Sequence, residues 1–299
     1  MPIAIAPFIK TFEPKYPLWA DGAVKQRYVY LPKCSTIDDS DMDHWKFPVG
    51  TRFWKTFTVG QTVVETRMLH RFGPAPLDWV FATYQWDVNA PTDPAQAKLV
   101  DQAGPPIVDA NNTTHDIPSL GQCKQCHNGL PEKVLSFSAF QLSHDTNATD
   151  LTIKRISDLG WLTVPAPDGF PVPGNATQQA ALGYLHANCG GCHNDTTPTP
   201  AALPQILRLS VAKTDYLTTD TYLTTVGVTV VSGNAAITGK KRIAAHDPAN
   251  SAILIRMKDR TQPPGNTSVQ MPPYGTGSTK LPDTNGGIKD VTDWVNSIP

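Results

Sequence analysis

Val63-Val64-Glu65-Thr66-Arg67-Met68-Leu69-His70-Arg71-Phe72 reads as a β-strand, because Val64, Thr66, Met68, His70 and Phe72 share one face while Glu65, Arg67 and Arg71 take the other. Side chains of an extended chain alternate between two sides, so the pattern is that of a half-buried strand with the Met68 and His70 side inward. Three further runs, Arg27 to Leu31, Arg52 to Val59 and Trp79 to Val88, are rich in β-branched and aromatic residues and are separated by turn residues. Trp19, Trp45, Trp54, Trp79 and Trp86 crowd the same region. The first third is therefore expected to form a sheet or sandwich of roughly a hundred residues.

Beyond it lie two short motifs of one form, Cys123-Lys124-Gln125-Cys126-His127 and Cys189-Gly190-Gly191-Cys192-His193. C-x-x-C-H is the spacing of c-type haem attachment. One turn of helix with two intervening residues puts both thiols on one side, where they reach the two vinyl-derived carbons of a porphyrin edge. The following His is carried under the ring as the proximal iron ligand. A four-cysteine zinc site would explain the pairs but not the histidines. With 8 His in 299 residues, a chance His after both pairs has a probability of about (8/299)², roughly one in a thousand. The cofactors expected are two covalently bound haem c groups with their iron.

Gln270-Met271-Pro272-Pro273-Tyr274-Gly275 offers a thioether in a proline-stiffened loop, the soft distal partner usual opposite His in electron-transfer haems. Met257, beside Ile253 and Leu254, reads as packing. No Met lies between His127 and Cys189, so the sixth ligand of the first haem is sought on the 63–72 strand, with His70 ahead of Met68; His144 and His186 are the choices within the region. His186 is expected to pack beside the second haem. His44, His115 and His246 read as surface or turn residues, and Cys34 as a buried, inert thiol.

The organisation expected is a β-rich domain over 1–108, a first haem-binding region over 109–175, and a second haem domain over 176–299. Thr177 to Asn188 has helical composition and leads into the second motif. In Gly287 to Asn296, Ile288, Val291 and Val295 recur at i, i+3 and i+7, the signature of an amphipathic helix. Ile206 to Val211 and Val226 to Val231 read as two short strands. The fold class expected is α+β, with the β-rich domain followed by mainly α-helical cytochrome c-type haem domains.

Composition narrows the partners. Lys and Arg number 25 against 26 Asp and Glu, so no basic field exists to hold nucleic acid. No run approaches the roughly 18 apolar residues of a transmembrane segment, and the opening MPIAIAPFIKTFEPKYP is too proline-broken for a signal sequence. Haem attachment of this type follows export, so the opening Met is expected to restart a mature, exported sequence.

The chain resembles bacterial dihaem c-type cytochromes of largely unassigned role. The resemblance lies in Tyr16-Pro17-Leu18-Trp19-Ala20-Asp21-Gly22-Ala23, Phe47-Pro48-Val49-Gly50-Thr51, Val64-Glu65-Thr66-Arg67, Gln122 to His127, and Tyr184-Leu185-His186-Ala187-Asn188-Cys189. The C-terminal part is similar to class I cytochrome c through Asp247-Pro248-Ala249-Asn250-Ser251, Met271-Pro272-Pro273 and the Trp294 helix. The resemblance implies a periplasmic or cell-surface location and electron relay between redox protein partners. The alternative is a dihaem peroxidase-like oxidoreductase with an open first haem; a third reading makes the aromatic N-terminal domain a docking module.

Overall fold

The computed structural model describes residues 6–20, 22–87, 96–144, 150–196, 205–231, 235–259, 270–272 and 286–299. It forms two compact units. The first takes Met1–Lys15, Gly22–Lys124 and Pro131–Phe170, and the second takes Tyr16–Asp21, Gln125–Leu130 and Pro171–Pro299.

In the first unit, β1 (Lys10–Thr11), β2 (Val24–Tyr30), β3 (Arg52–Val59), β4 (Thr62–Arg71), β5 (Trp79–Trp86) and β6 (Ala97–Leu99) make one sheet in chain order, each neighbouring pair antiparallel. The β3–β4 hairpin closes through Gly60 and Gln61, since Val59 pairs with Thr62. Gly60 has φ 58, a left-handed conformation that costs a residue without Cβ nothing. All four expected strands are present, with Val88 outside the described residues. One face of the sheet packs on an aromatic cluster centred on Phe137, whose ring meets Phe12 at 4.9 Å and Phe53 at 5.4 Å edge to face. Such offset contacts contribute about 0.5–1.5 kcal/mol each beyond the area they bury.

The expected polar side of β4 is not outward. Glu65 is 0 % exposed and Arg71 7 %. Both stay buried because each is paired, the condition on which charge enters an interior. Glu65 receives a hydrogen bond from Arg67 Nε at 2.9 Å and lies 2.6 Å from His115 Nε2. Arg71 pairs with Glu132 and donates to the Pro74 carbonyl at 3.1 Å. His115, expected at a surface or turn, is buried against the Phe57 ring at 4.9 Å. Three short helices follow the sheet: α1 (Leu120–His127), α2 (Ala139–Leu142) and α3 (Ile153–Asp158). The boundary between the units falls inside α1, after Lys124.

The second unit is organised by α4 (Ala176–Asn188) and α7 (Gly287–Ser297), with α5 (Asp220–Thr225) and α6 (Ala252–Lys258) between them in sequence. A capping box starts α4: Asn175 Oδ1 accepts from Gln178 N at 3.1 Å and Gln178 Oε1 from Asn175 N at 2.8 Å. The expected amphipathic helix is α7, which buries Ile288, Val291, Trp294 and Val295. Trp294 Nε1 donates to Tyr216 Oη at 2.7 Å, satisfying the one polar atom of a fully buried ring.

The expectation of mainly α-helical haem domains is overturned. Helix amounts to only 26 % of the described residues, and the six-stranded antiparallel sheet is the largest regular element. Each C-x-x-C-H requires only one helical turn; the first motif closes the short α1 and the second follows α4, and neither makes the chain beyond it mainly helical. Nor are the runs at 206–211 and 226–231 strands; Val226 and Thr229 make isolated bridges to Ile243 and Lys241. No helix among the described residues is long and apolar enough to cross a membrane.

Burial raises the Glu65 carboxyl pKa, but Arg67 and the hydrogen bonds from His115 and Arg67 outweigh it and hold the group below its ordinary value. A depressed folded-state pKa stabilises above the unfolded value, about 4.3, and the contribution is lost as pH falls through the folded one. Glu65→Gln is therefore expected to cost about 3–5 kcal/mol at pH 7 and to flatten the loss of stability below about pH 4, measured by denaturant melts across pH.

Candidate functional site

Helix α4 delivers its last turn directly into the second motif. Cys189 N and Gly190 N both donate to the Leu185 carbonyl, at 2.9 and 3.0 Å, while Cys192 N and His193 N donate to the Cys189 carbonyl at 3.0 and 2.9 Å. This tight turn leaves no room at Gly190, where a Cβ would lie 2.6 Å from the His186 carbonyl oxygen. Residues 16–20 strap the helix from outside. The Tyr16 ring lies against Gly183, and Trp19 N donates to Asn188 Oδ1 at 2.7 Å.

The first motif contributes to the same unit from Gln125 onward. A Cβ at Gly129 would collide with the Gly191 carbonyl oxygen, so the two segments touch backbone to backbone. Asn194 fastens them: its buried side-chain amide donates to the carbonyls of Gly129 at 3.0 Å, Gly190 at 2.9 Å and Gly191 at 3.1 Å. Cys192 Sγ lies 3.6 Å from the Gln125 carbonyl, and a hydrogen bond with the Cys126 thiol lowers the Cys192 pKa against the opposing effect of burial. The second cysteines of the two motifs are therefore in contact.

Cys126, Cys189, Cys192 and His193 line a cavity of ≈ 250 Å³ whose other walls include Leu207, Val230, Ile237, Met257 and Met271. The volume is near the roughly 300 Å³ at which small-molecule and cofactor pockets begin. Arg242 and Arg256 supply positive charge at this largely apolar site. Burial, with Arg256 and Arg242 adding to it, lowers His193 to about 4, so its imidazole is neutral at pH 7 and keeps a lone pair. Burial pushes the Cys189 thiol up to about 12. Met271 is tied to α6 by its N–H, which donates to the Arg256 carbonyl at 3.0 Å; Pro273, Tyr274 and Gly275 lie outside the described residues.

Two thiols, a neutral imidazole, thioether sulfur, apolar walls and nearby guanidinium groups fit a covalently attached haem with anionic propionates, and these are the residues that could hold one. Among the described residues no three His, Cys, Asp or Glu side chains gather as a metal site.

The other sequence candidates fall elsewhere. Cys123 lies in the first unit, on α1, and His127 ends that helix in the second. Met68 and His70 are half-buried on β4, His70 in register with Arg52 and Val80, and Met68 with Trp54 and Ala82. His144 Nε2 donates to the Glu13 carbonyl at 2.6 Å. His186 Nδ1 accepts from Leu209 N at 3.0 Å, which makes it a fixed core residue supporting the 205–209 loop. Met257, read as packing, also lines the cavity. Cys34, expected to be buried, is exposed at φ 61 in a turn closed by Ser35 N to the Pro32 carbonyl. The contribution of Asn194, Arg242 and Arg256 was not anticipated. Gly190-Gly191 between two cysteines was the available signal, since paired glycines mark close backbone approach.

Compared with protein-family models, curated proteins and solved structures, the chain finds no match.

Burial, helped by Arg208, lowers His186 to about 3, below the roughly 6.5 of an unfolded chain. Between these values the unfolded chain holds more protons, so stability is full above about pH 6.5 and falls with acid, by at most about 1.4 kcal/mol per pH unit. His186→Gln, which can still accept from Leu209 N, is expected to reduce that slope in melts between pH 6.5 and 4.

Proposed function

We propose that this chain is an exported dihaem c-type cytochrome that relays electrons between redox protein partners, with thioether links at Cys123 and Cys126 and at Cys189 and Cys192. His127 and His193 are the proximal ligands, and Met271 is the distal ligand of the second haem. The observation that carries this reading is the contact between the attachment segments, Gly129 against Gly191 and Cys126 against Cys192, stapled by Asn194. Motifs so joined bring the two attachment edges together, which favours transfer within one molecule.

When bound, haem supplies a one-electron carrier. The chain's own residues do the positioning. The Cys189 carbonyl accepts from His193 N, while the His193 carbonyl accepts from Leu207 N at 2.8 Å, so the imidazole is held from both sides of its backbone. Leu207, Val230 and Ile237 give the cavity apolar walls, and the Arg256 carbonyl fixes the backbone of Met271. The resemblance to exported dihaem cytochromes supports periplasmic or cell-surface placement. For the first haem the sixth ligand is assigned to β4, His70 ahead of Met68; loss of the true ligand in His70→Ala or Met68→Ala should make one iron high-spin.

Produced with a c-type maturation system, the chain is expected to carry two haem additions by intact mass and haem-stained denaturing gels, and one when Cys189 and Cys192 are both Ala. A bare polypeptide mass would overturn the reading. Gly129→Val should keep both haems, cost about 1–3 kcal/mol of stability through overpacking, and slow internal electron transfer in flash-reduction kinetics. Peroxide turnover at roughly 1 to 1000 per second would replace the relay by the peroxidase reading.

A further inference from the structure

One face of the first unit's sheet carries more positive than negative charge. Arg27 on β2 is in register with Lys55 on β3, and Lys55 with Arg67 on β4. Directly opposed residues of antiparallel strands project to the same side, so three cations stand in a row where like charges repel. Two carboxylates answer them. Glu13 accepts from Arg27 Nη1 at 2.8 Å, and Glu65 pairs with Arg67 while also serving His115.

Lys55 has neither. Among the described residues its ammonium group has no hydrogen bond or ion pair, and burial, with Arg27, Lys25 and Arg67 adding to it, pushes its pKa well below the ordinary value. The Arg27 side chain is 1 % exposed, yet its Nε and Nη2 have no acceptor. These two N–H groups form one edge of the guanidinium, the fork that matches two oxygens of one anion. With Lys25 also acting on Lys55, the cations of this face outnumber Glu13 and Glu65, and Lys55 stands between the two arginines without a bonded carboxylate.

We propose that the Arg27–Lys55–Arg67 row is a binding site for a small oxyanion, a carboxylate or a phosphate, received on the buried, unpartnered Arg27 edge and neutralised by Lys55. The site belongs to the first unit and does not depend on the haem reading.

The test is thermal unfolding and calorimetric titration of the full chain with sodium phosphate or sodium acetate, each against sodium chloride at equal ionic strength. One of the two oxyanions should raise the unfolding midpoint saturably, and which one does identifies the class. Lys55→Met should bind that anion at least tenfold more weakly while unfolding in chloride at or above the unmodified midpoint, because an uncompensated cation is gone. Lys55→Arg, which keeps the charge, should retain binding and guards against a variant that fails to fold. The proposal is overturned if neither oxyanion shifts the unmodified chain relative to chloride, or if Lys55→Met responds to it equally.

Discussion

The arrangement of the second unit depends on a backbone contact that only glycine permits, Gly129 against the carbonyl of Gly191. Both glycines lie in turns just past helix ends, α1 closing at His127 and α4 at Asn188, so no helical ladder holds them there. The contact is made specific by Asn194, whose amide shares its two N–H groups among three carbonyls and whose Oδ1 accepts from Thr196 N at 2.9 Å. Leaving the buried carbonyls of Gly129 and Gly190 without these donors would carry a desolvation cost. The polar staple thus does for two loops what a hydrophobic interface does for two helices, and it fixes register as well as distance.

The first unit solves a different problem. Its sheet has one face filled by Phe53, Phe57 and the Phe137 cluster, and the same face carries Arg27, Lys55, Glu65 and Arg67. Charges among aromatic rings are tolerable where they are paired or stacked, and Arg67 is both, bonded to Glu65 and lying 4.3 Å from the Phe57 ring centroid. The strand order is a simple meander, so the charged row is assembled from residues 40 apart in the chain at most, by hairpins alone.

Much of this was legible in the sequence. Period-two alternation located β2 to β5 to within a few residues, and the i, i+3, i+7 spacing located α7 and its buried side. Alternation says which residues share a face, not which face is covered, so the burial of Glu65 and Arg71 escaped it. The pairing of Glu65 with His115 joins residues 50 apart, and no local pattern encodes such a meeting. C-x-x-C-H specifies the chemistry of a turn, and extending it to a mainly helical domain mistook a local requirement for a global one. At 226–231 the β-branched residues were read as strand, but Gly227 at φ 71 breaks the extended run after its first residue.

Electrostatics bears on how the cavity of the second unit could serve the proposed role. Arg242 and Arg256 line it with His193, whose imidazole they help to keep neutral. The same field acts on any group that changes charge there. A haem held there would meet two guanidinium groups, which would disfavour added positive charge on it unless its own anionic groups compensated. Arginine stays charged across the physiological range, so the compensation has to come from the ligand rather than from proton release. On the proposed reading, Arg242 and Arg256 are the residues that would hold the haem propionates, so the same two side chains would bear on both the anchoring and the potential of the group.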